Sequence, residues 1–326
     1  MTYDLISLGD TQNDTFLQLN EHEAHVVCKI NTDDCEICFN YADKIPVESV
    51  HRSVAGNAAN VAVSSSRLGL KTAIWTILGD DPLGKEAVEV FKKEQVATNF
   101  LEVEQGTSSN VSTVINTFGE RTIFVYHRPR SYLLPQLAEA KYYYLTSMAP
   151  GSELLFEAVS GLAAQNHTKI VFQPGTYQLR VGPGHARVLL THTEIIFMNF
   201  QEAQDYTKTK TEVPKDLLKS LKQLGPRIVV ITDGKNGSYC FDGEAMLKMG
   251  IIEQAPRVEA TGAGDAYAAG FTAARVKGQS LEESMRWGNY NASAVIGQIG
   301  PQAGLLTDQE LHHWSQRYPL KAERII

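Results

Sequence analysis

Short apolar runs rich in β-branched and aromatic residues alternate along this chain with amphipathic stretches of about ten or more residues, and that alternation of two periodicities restricts its fold more than any other feature. Strands separated by a helix pair in parallel and bury both faces. The pattern therefore predicts an α/β fold with a mostly parallel sheet sandwiched by helices. Candidate strands are Tyr3–Leu8, Thr72–Leu78, Tyr142–Leu145, Lys169–Phe172, Glu194–Met198 and Arg227–Ile231. Candidate helices are Ala58–Leu68, Leu83–Gln95, Glu153–Gln165, Pro214–Leu224, Gly264–Lys277 and Ser280–Ile296, several bounded by Gly or opened by Pro, Ser or Asp. Ala24–Tyr41 and Val111–His127 read instead as strand pairs, the second turning at Phe118-Gly119-Glu120, and both fit a small antiparallel sheet outside the main one. No linker, repeat or low-complexity run divides the chain, so residues 1–326 read as one α/β domain with a β appendage built from insertions at about 12–50 and 107–130.

Composition narrows the function. Thirty Lys plus Arg against thirty-seven Asp plus Glu gives −7, a poor counterion sheet for nucleic acid or anionic lipid. No apolar run approaches the roughly 18 residues of a membrane span, and Met1-Thr2-Tyr3-Asp4-Leu5-Ile6 lacks the features of a signal peptide, which places the protein in the cytoplasm. Four cysteines fit a reducing compartment with free thiols. Cys35-Glu36-Ile37-Cys38, near Cys28, His22 and His25, suggests zinc, but on a strand residues three apart face opposite ways, so these cysteines read as small hydrophobes. The run Tyr142-Tyr143-Tyr144 reads as a core strand.

Glu259-Ala260-Thr261-Gly262-Ala263-Gly264-Asp265 leads into a small-residue helical run. Two glycines around an alanine let backbone N–H groups turn inward where a helix presents its positive end, a site suited to phosphate. Asp265 at its lip can take a proton from a hydroxyl attacking that phosphate, or can simply cap the helix; read alone, the segment fits both. Gly79-Asp80-Asp81-Pro82-Leu83-Gly84-Lys85-Glu86 nearly spells a Walker A loop, yet Glu86 is not the hydroxyl that loop needs and the two Asp repel phosphate, so it reads as a βα turn.

Taken together these motifs resemble the ribokinase-like, or PfkB, carbohydrate kinase family. Thr261-Gly262-Ala263-Gly264-Asp265 resembles its C-terminal signature, and Ala55-Gly56-Asn57-Ala58-Ala59-Asn60-Val61-Ala62-Val63 with Arg67-Leu68-Gly69 its N-terminal one. Gly79-Asp80-Asp81-Pro82-Leu83-Gly84 matches a family turn, Asn199-Phe200-Gln201-Glu202 the spacing of its Asn-x-x-Glu motif, and Thr232-Asp233-Gly234-Lys235-Asn236-Gly237 its nucleotide-binding turn. The resemblance implies a three-layer sandwich with a small β lid, and an ATP- and Mg²⁺-dependent transferase that phosphorylates a primary alcohol of a small sugar or sugar-like metabolite. It implies Asp265 as base, the N–H groups of Gly262, Ala263 and Gly264 around the γ-phosphate, and Asn199 with Glu202 holding water around Mg²⁺. It further places Thr232, Gly234 and Gly237 at the nucleotide, Asn291 at adenine, and Asp14, Gly56 and Asn60 at the sugar, with the β appendage excluding water as a lid. Association through the lids into a homodimer is a family habit, and exposed strand edges give it a physical motive.

Three departures stand out. Glu259 takes the place of an Asp that helps form a monovalent-cation site in many members, and its extra methylene argues against that site here. Ala55 precedes Gly56 where the signature usually has two glycines. His127-Arg128-Pro129-Arg130 replaces a Gly/Ala-rich stretch; two Arg there could bind an acidic or phosphorylated substrate, or be solvated loop charges. Two other readings stay open: a nucleoside kinase, if Phe16, Phe39 or Tyr41 supplies an aromatic slot, and a catalytically idle ligand-binding relative.

Overall fold

The computed structural model describes residues 2–325 apart from 21, 29–34, 118 and 119. Nine strands form one mixed sheet in the order Glu323–Arg324, Met246–Met249, Ser238–Phe241, Ile228–Thr232, Thr193–Asn199, Lys169–Phe172, Ala140–Leu145, Tyr3–Leu8, Thr72–Trp75. From Ile228–Thr232 to Thr72–Trp75 every pairing is parallel, and the three strands on the other side are antiparallel additions. Parallel strands are covered on both faces, and here the tyrosine run shows it: Tyr143 packs into one hydrophobic core while Tyr142 and Tyr144 pack into the other. Leu155–Gln165, Phe200–Thr207 and Pro214–Gln223 cover the first face; Ala263–Val276, Leu281–Val295 and Asp308–Arg317 cover the second. Asn57–Arg67 and Pro82–Lys93 close a third, smaller core at the Thr72–Trp75 end. Among the described residues no helix is long and apolar enough to cross a membrane.

The expected strand Thr72–Leu78 is interrupted at Thr76, whose hydroxyl accepts from the Thr11 N–H at 3.0 Å. Beyond the break, Ile77–Gly79 pairs separately with Glu102–Glu104. Elements absent from the sequence reading include the short helices Thr176–Val181 and Arg187–His192, the hairpin Ser238–Phe241/Met246–Met249 and the helix Asp308–Arg317. That helix is opened by Thr307 and Glu310, which form a reciprocal capping box.

A separate four-stranded sheet, ordered Glu120–Tyr126, Asn110–Thr117, Gln12–Leu19, Val47–Ala55, stands at the C-terminal end of the parallel strands. It is mixed rather than antiparallel as expected, because Gln12–Leu19 runs parallel to Asn110–Thr117. The expected turn at Phe118-Gly119-Glu120 falls partly on Phe118 and Gly119, which lie outside the described residues. His25–Cys28 and Cys35–Cys38 pair as a hairpin of their own instead of joining this sheet. The expectation of free thiols is corrected there: Cys28 sits directly opposite Cys35 with Cα atoms 4.0 Å apart, and the two are joined in a disulfide. Cys38, three residues along the strand, stays outside the bond, and the described residues contain no cluster of three metal-ligating side chains.

Gly237 turns Ile228–Thr232 into Ser238–Phe241 with a φ of +90°, and a Cβ there would lie 2.0 Å from the Met249 carbonyl oxygen. Gly237→Ala should therefore lower unfolding free energy by about 2–4 kcal/mol in urea titrations. Gly161→Ala, in the exposed interior of Leu155–Gln165 with nothing within 4 Å, should raise it by about 0.5–1 kcal/mol.

Candidate active site

The helix Ala263–Val276 begins at Gly262, which holds a left-handed φ of +81° and has Pro301 packed where a Cβ would stand, 2.5 Å away. Only glycine fits there. The Ala263 N–H closes the turn on the Ala260 carbonyl at 3.3 Å, so of the three N–H groups expected at a phosphate, those of Gly262 and Gly264 have no partner among the described residues. Asp265 follows in the first helical turn. Its side chain is almost wholly buried, and three amides reach it: Asn57 Nδ2 donates to Oδ1 at 2.9 Å, Asn60 Nδ2 to Oδ2 at 2.8 Å and Gln173 Nε2 to Oδ1 at 3.2 Å. Burial pushes the carboxyl up to about 6, against the opposing pull of these donors, and the Glu202 charge adds to the rise.

Asn57 and Asn60 lie one turn apart at the start of Asn57–Arg67, which places both amides on the face turned to Asp265. Asn60, expected at a sugar, donates to Asp265 through Nδ2 and accepts from Gln302 Nε2 at 3.1 Å through Oδ1, which leaves its second amide N–H without a partner among the described residues. Its position makes it a holder of Asp265. Gly56, with φ of +97°, is required by close packing, because a Cβ would meet the Asp10 carbonyl oxygen at 2.6 Å.

Asp14 lies on Gln12–Leu19 and is buried, accepting from Gln12 Nε2 at 2.8 Å and from the Ser112 hydroxyl on the neighbouring strand. Burial raises its carboxyl above the usual range, and the nearby Glu259 charge adds to that. Asp10, at the end of the first strand, accepts from the Tyr132 hydroxyl and the Ala149 N–H, with His127 Nδ1 at 3.3 Å.

A cavity of about 310 Å³ runs up to Ala263 and Gly264 on the other side. Thr232, Gly234 and Gly237 line it, as do Arg257, Tyr267 and Asn289. Asn291, expected beside adenine, is corrected: it is fully buried, donating to Ser64 Oγ and the Ala266 carbonyl and accepting from the Leu306 N–H. Asn289, half a helical turn earlier, is the asparagine that faces the cavity.

Three comparisons bear on this arrangement. A family model described as pfkB family carbohydrate kinase matches residues 20–308. The chain belongs to the pfkB family of carbohydrate kinases. A 5-dehydro-2-deoxygluconokinase of Halalkalibacterium halodurans is 25% identical over 79% of this chain and 84% of its own length. A nucleoside kinase of Methanothermobacter thermautotrophicus is 25% identical over 93% of this chain and 92% of its own. The structure of Arabidopsis thaliana ribokinase complexed with ribose and ATP superimposes with a TM-score of 0.78 at 19% identity, covering 96% of this chain and 98% of that one. The fold is ribokinase-like, and the protein is an ATP-dependent phosphotransferase.

Within this kinase Asn199 and Glu202 form a reciprocal capping box, Asn199 Oδ1 accepting from the Glu202 N–H and Glu202 Oε2 from the Asn199 N–H, each at 2.8 Å. Glu202 Oε1 lies outside the box. One partly buried carboxylate oxygen fits a magnesium ion that keeps most of its water and binds phosphates, not a fully protein-ligated metal. Arg130, a candidate for an acidic substrate, is wholly buried against Glu104 and the Ser108 carbonyl. Arg128 and Arg130 line the same shallow depression with Glu104, Gln105 and Thr107.

Sequence reasoning did not single out Gln173, Gln302, Asn289 or Asn57. Gln173 was findable, since it ends a parallel strand where α/β proteins place their sites; Gln302 comes from a loop no periodicity marks.

Because the folded carboxyl of Asp265 titrates near 6 and an unfolded one near 3.8, the native state holds its proton longer, and the group costs stability increasingly as pH rises through that interval. The melting temperature of Asp265→Asn minus that of the natural protein should therefore become more positive between pH 4 and pH 7 and flatten above. A difference independent of pH would show that Asp265 titrates normally.

Proposed function

We propose that this kinase transfers the γ-phosphate of ATP directly to a primary hydroxyl of a neutral, small polyhydroxy acceptor, with Asp265 as the general base. The reading is carried by one arrangement: a desolvated carboxylate held by three amide donors stands at the mouth of a phosphate-sized turn, with the cavity on one side and Asp14 within the facing smaller sheet. A carboxyl raised to about 6 is still ionised at neutral pH and is a better proton acceptor than an exposed one. As the hydroxyl attacks in line, its proton passes to Asp265, and charge growing on the phosphoryl oxygens meets the Gly262 and Gly264 N–H groups and the helix end. Thr232, Gly234, Gly237 and Asn289 would hold the nucleotide. Mg²⁺, held through water by Glu202 beside Asn199, would neutralise phosphate charge. The smaller sheet serves as a lid that keeps water from competing as acceptor.

Charge selects the acceptor class. Arg130 is engaged with Glu104, Arg121 faces Glu259, and the acceptor side retains the carboxylates of Asp14 and Asp10. A sugar acid or sugar phosphate would meet these carboxylates with Arg128 as the guanidinium left without an ion pair among the described residues, whereas vicinal hydroxyls could donate to Asp14. A nucleoside is the second reading: on the same face as Asp14, Phe16 lies against His51 at 6.1 Å, whereas Tyr41 is fully exposed.

ADP release from the purified chain, measured across ribose, fructose, gluconate-type acids, fructose phosphates and nucleosides, tests this. Turnover with a neutral acceptor is expected, with kcat/KM falling as pH drops through about 6 and Asp265→Asn lowering kcat by about 10²–10⁴-fold. Turnover confined to anionic acceptors would overturn the charge argument, and an Asn variant within threefold of the natural protein would remove Asp265 as base.

The lid face turned away from Asp14 carries exposed Val50, Phe124 and Tyr126, and its edge strand Glu120–Tyr126 has an unpaired side. A second copy of the chain is the proposed occupant. Sedimentation should find a homodimer at micromolar concentration that Phe124→Lys shifts to monomer; an unchanged profile would place the contact elsewhere.

A further inference from the structure

We infer that Arg121 is a positioning residue that makes assembly of the phosphate-binding turn depend on closure of the lid; this rests on the phosphoryl-transfer reading above. Arg121 belongs to the outer lid strand, opposite Asn116, which in turn lies opposite Gln18. Its side chain shares a face with Asp14 and Ser112 by the two-residue alternation of the strands. From there Nη1 reaches to 3.9 Å from Glu259 Oε1 on the main body.

What Glu259 does makes this contact consequential. Its side chain is only 8% exposed, and Oε1 accepts from both the N–H of Thr261, at 2.7 Å, and the Thr261 hydroxyl. Thr261 is the residue before Gly262, so the carboxylate of Glu259 fixes the first corner of the turn whose N–H groups face the phosphate. The other oxygen, Oε2, is buried with no hydrogen-bond partner among the described residues. The neighbouring charge is unfavourable, because Asp14 and Glu259 repel each other. A buried carboxylate in such company is costly unless a cation accompanies it. Among the described residues Arg121 is the one basic side chain within 4 Å of Glu259.

The cation that makes Glu259 tolerable where it is needed therefore arrives on a different sheet, across the acceptor cleft. With the lid in place, guanidinium, carboxylate and Thr261 form one chain of contacts and the turn is fixed. With the lid away, Glu259 has Asp14 withdrawn but also loses its cation; the carboxylate then turns to water and releases Thr261. The turn is thus ordered when an acceptor has drawn the lid down, and ATP bound without acceptor faces a loosened oxyanion site. The side chain touches neither substrate nor phosphate; it acts through Glu259.

Two readouts on the full chain test this. In the first, hydrogen exchange of the amides from Thr261 to Asp265 is followed in the natural protein, Arg121→Ala, Arg121→Lys and, as a control, Arg128→Ala; it needs no turnover. Arg121→Ala should exchange at least fivefold faster in this segment, Arg121→Lys should lie between, and Arg128→Ala should match the natural protein. In the second, steady-state kinetics with the acceptor found above should show kcat lower by tenfold or more in Arg121→Ala, with KM for ATP within threefold. Lysine, or millimolar guanidinium added to the alanine variant, should restore part of the loss. Unchanged exchange, or a loss confined to KM for the acceptor, would overturn the inference, the latter making Arg121 a substrate contact. If the natural protein transfers no phosphate at all, the functional reading fails, while the exchange experiment still decides whether Arg121 orders the turn.

Discussion

The Asp265 carboxylate is withdrawn from water yet accepts from three side-chain amides, two from the start of Asn57–Arg67 and one from the end of Lys169–Phe172. Everything at the cleft is arranged around that compromise. Without the donors, desolvation would drive the carboxyl further toward its protonated form; without desolvation, it would be an ordinary surface carboxylate and a weaker proton acceptor. The same bonds pin three separate stretches of backbone to one another, and a fourth joins through Gln302 on Asn60. Electrostatic tuning of the carboxylate and tertiary structure are thus one set of contacts. Farther along the Ala263–Val276 helix, Gly270 packs where a Cβ would lie 2.6 Å from the Trp287 carbonyl oxygen.

Much of the architecture was readable because its signals are periodic. The strand Tyr3–Leu8 and the strand Lys169–Phe172 fall where alternating apolar runs put them, and the helix starts near Pro82, Pro214 and Ser280 follow capping rules. The hairpin Ser238–Phe241/Met246–Met249 escaped notice because it lies beside a glycine turn that already had a nucleotide-binding explanation.

The site was legible in a different measure. Motif order picked out the segments, and in the structure Thr232, Gly234, Gly237 and Gly264 line one cavity, with Gly262 and Asp265 next to Gly264 at the helix start. Roles within a segment were less legible, because a side chain's partner depends on angles of a few tens of degrees that spacing does not carry. Asn289 and Asn291 differ by two positions on one helix, and one faces the cavity while the other knits the core. Asn60 likewise has a partner, the Asp265 carboxylate, that its motif did not name. The disulfide between Cys28 and Cys35 depended on strand register, a property of pairing that no single segment encodes.

The parallel pairing of Gln12–Leu19 with Asn110–Thr117 has a consequence for how the molecule comes into being. The smaller sheet is stitched from two stretches of chain with the Asn57–Arg67 helix, the edge strand Thr72–Trp75 and the Pro82–Lys93 helix synthesised between them. It cannot be cut out as a continuous piece or grafted whole onto another protein. During synthesis Gln12–Leu19 can pair with Val47–Ala55 early, but its parallel partner Asn110–Thr117 emerges only after the intervening helices and edge strand, so the smaller sheet is completed by one of the longer-range pairings of the N-terminal half.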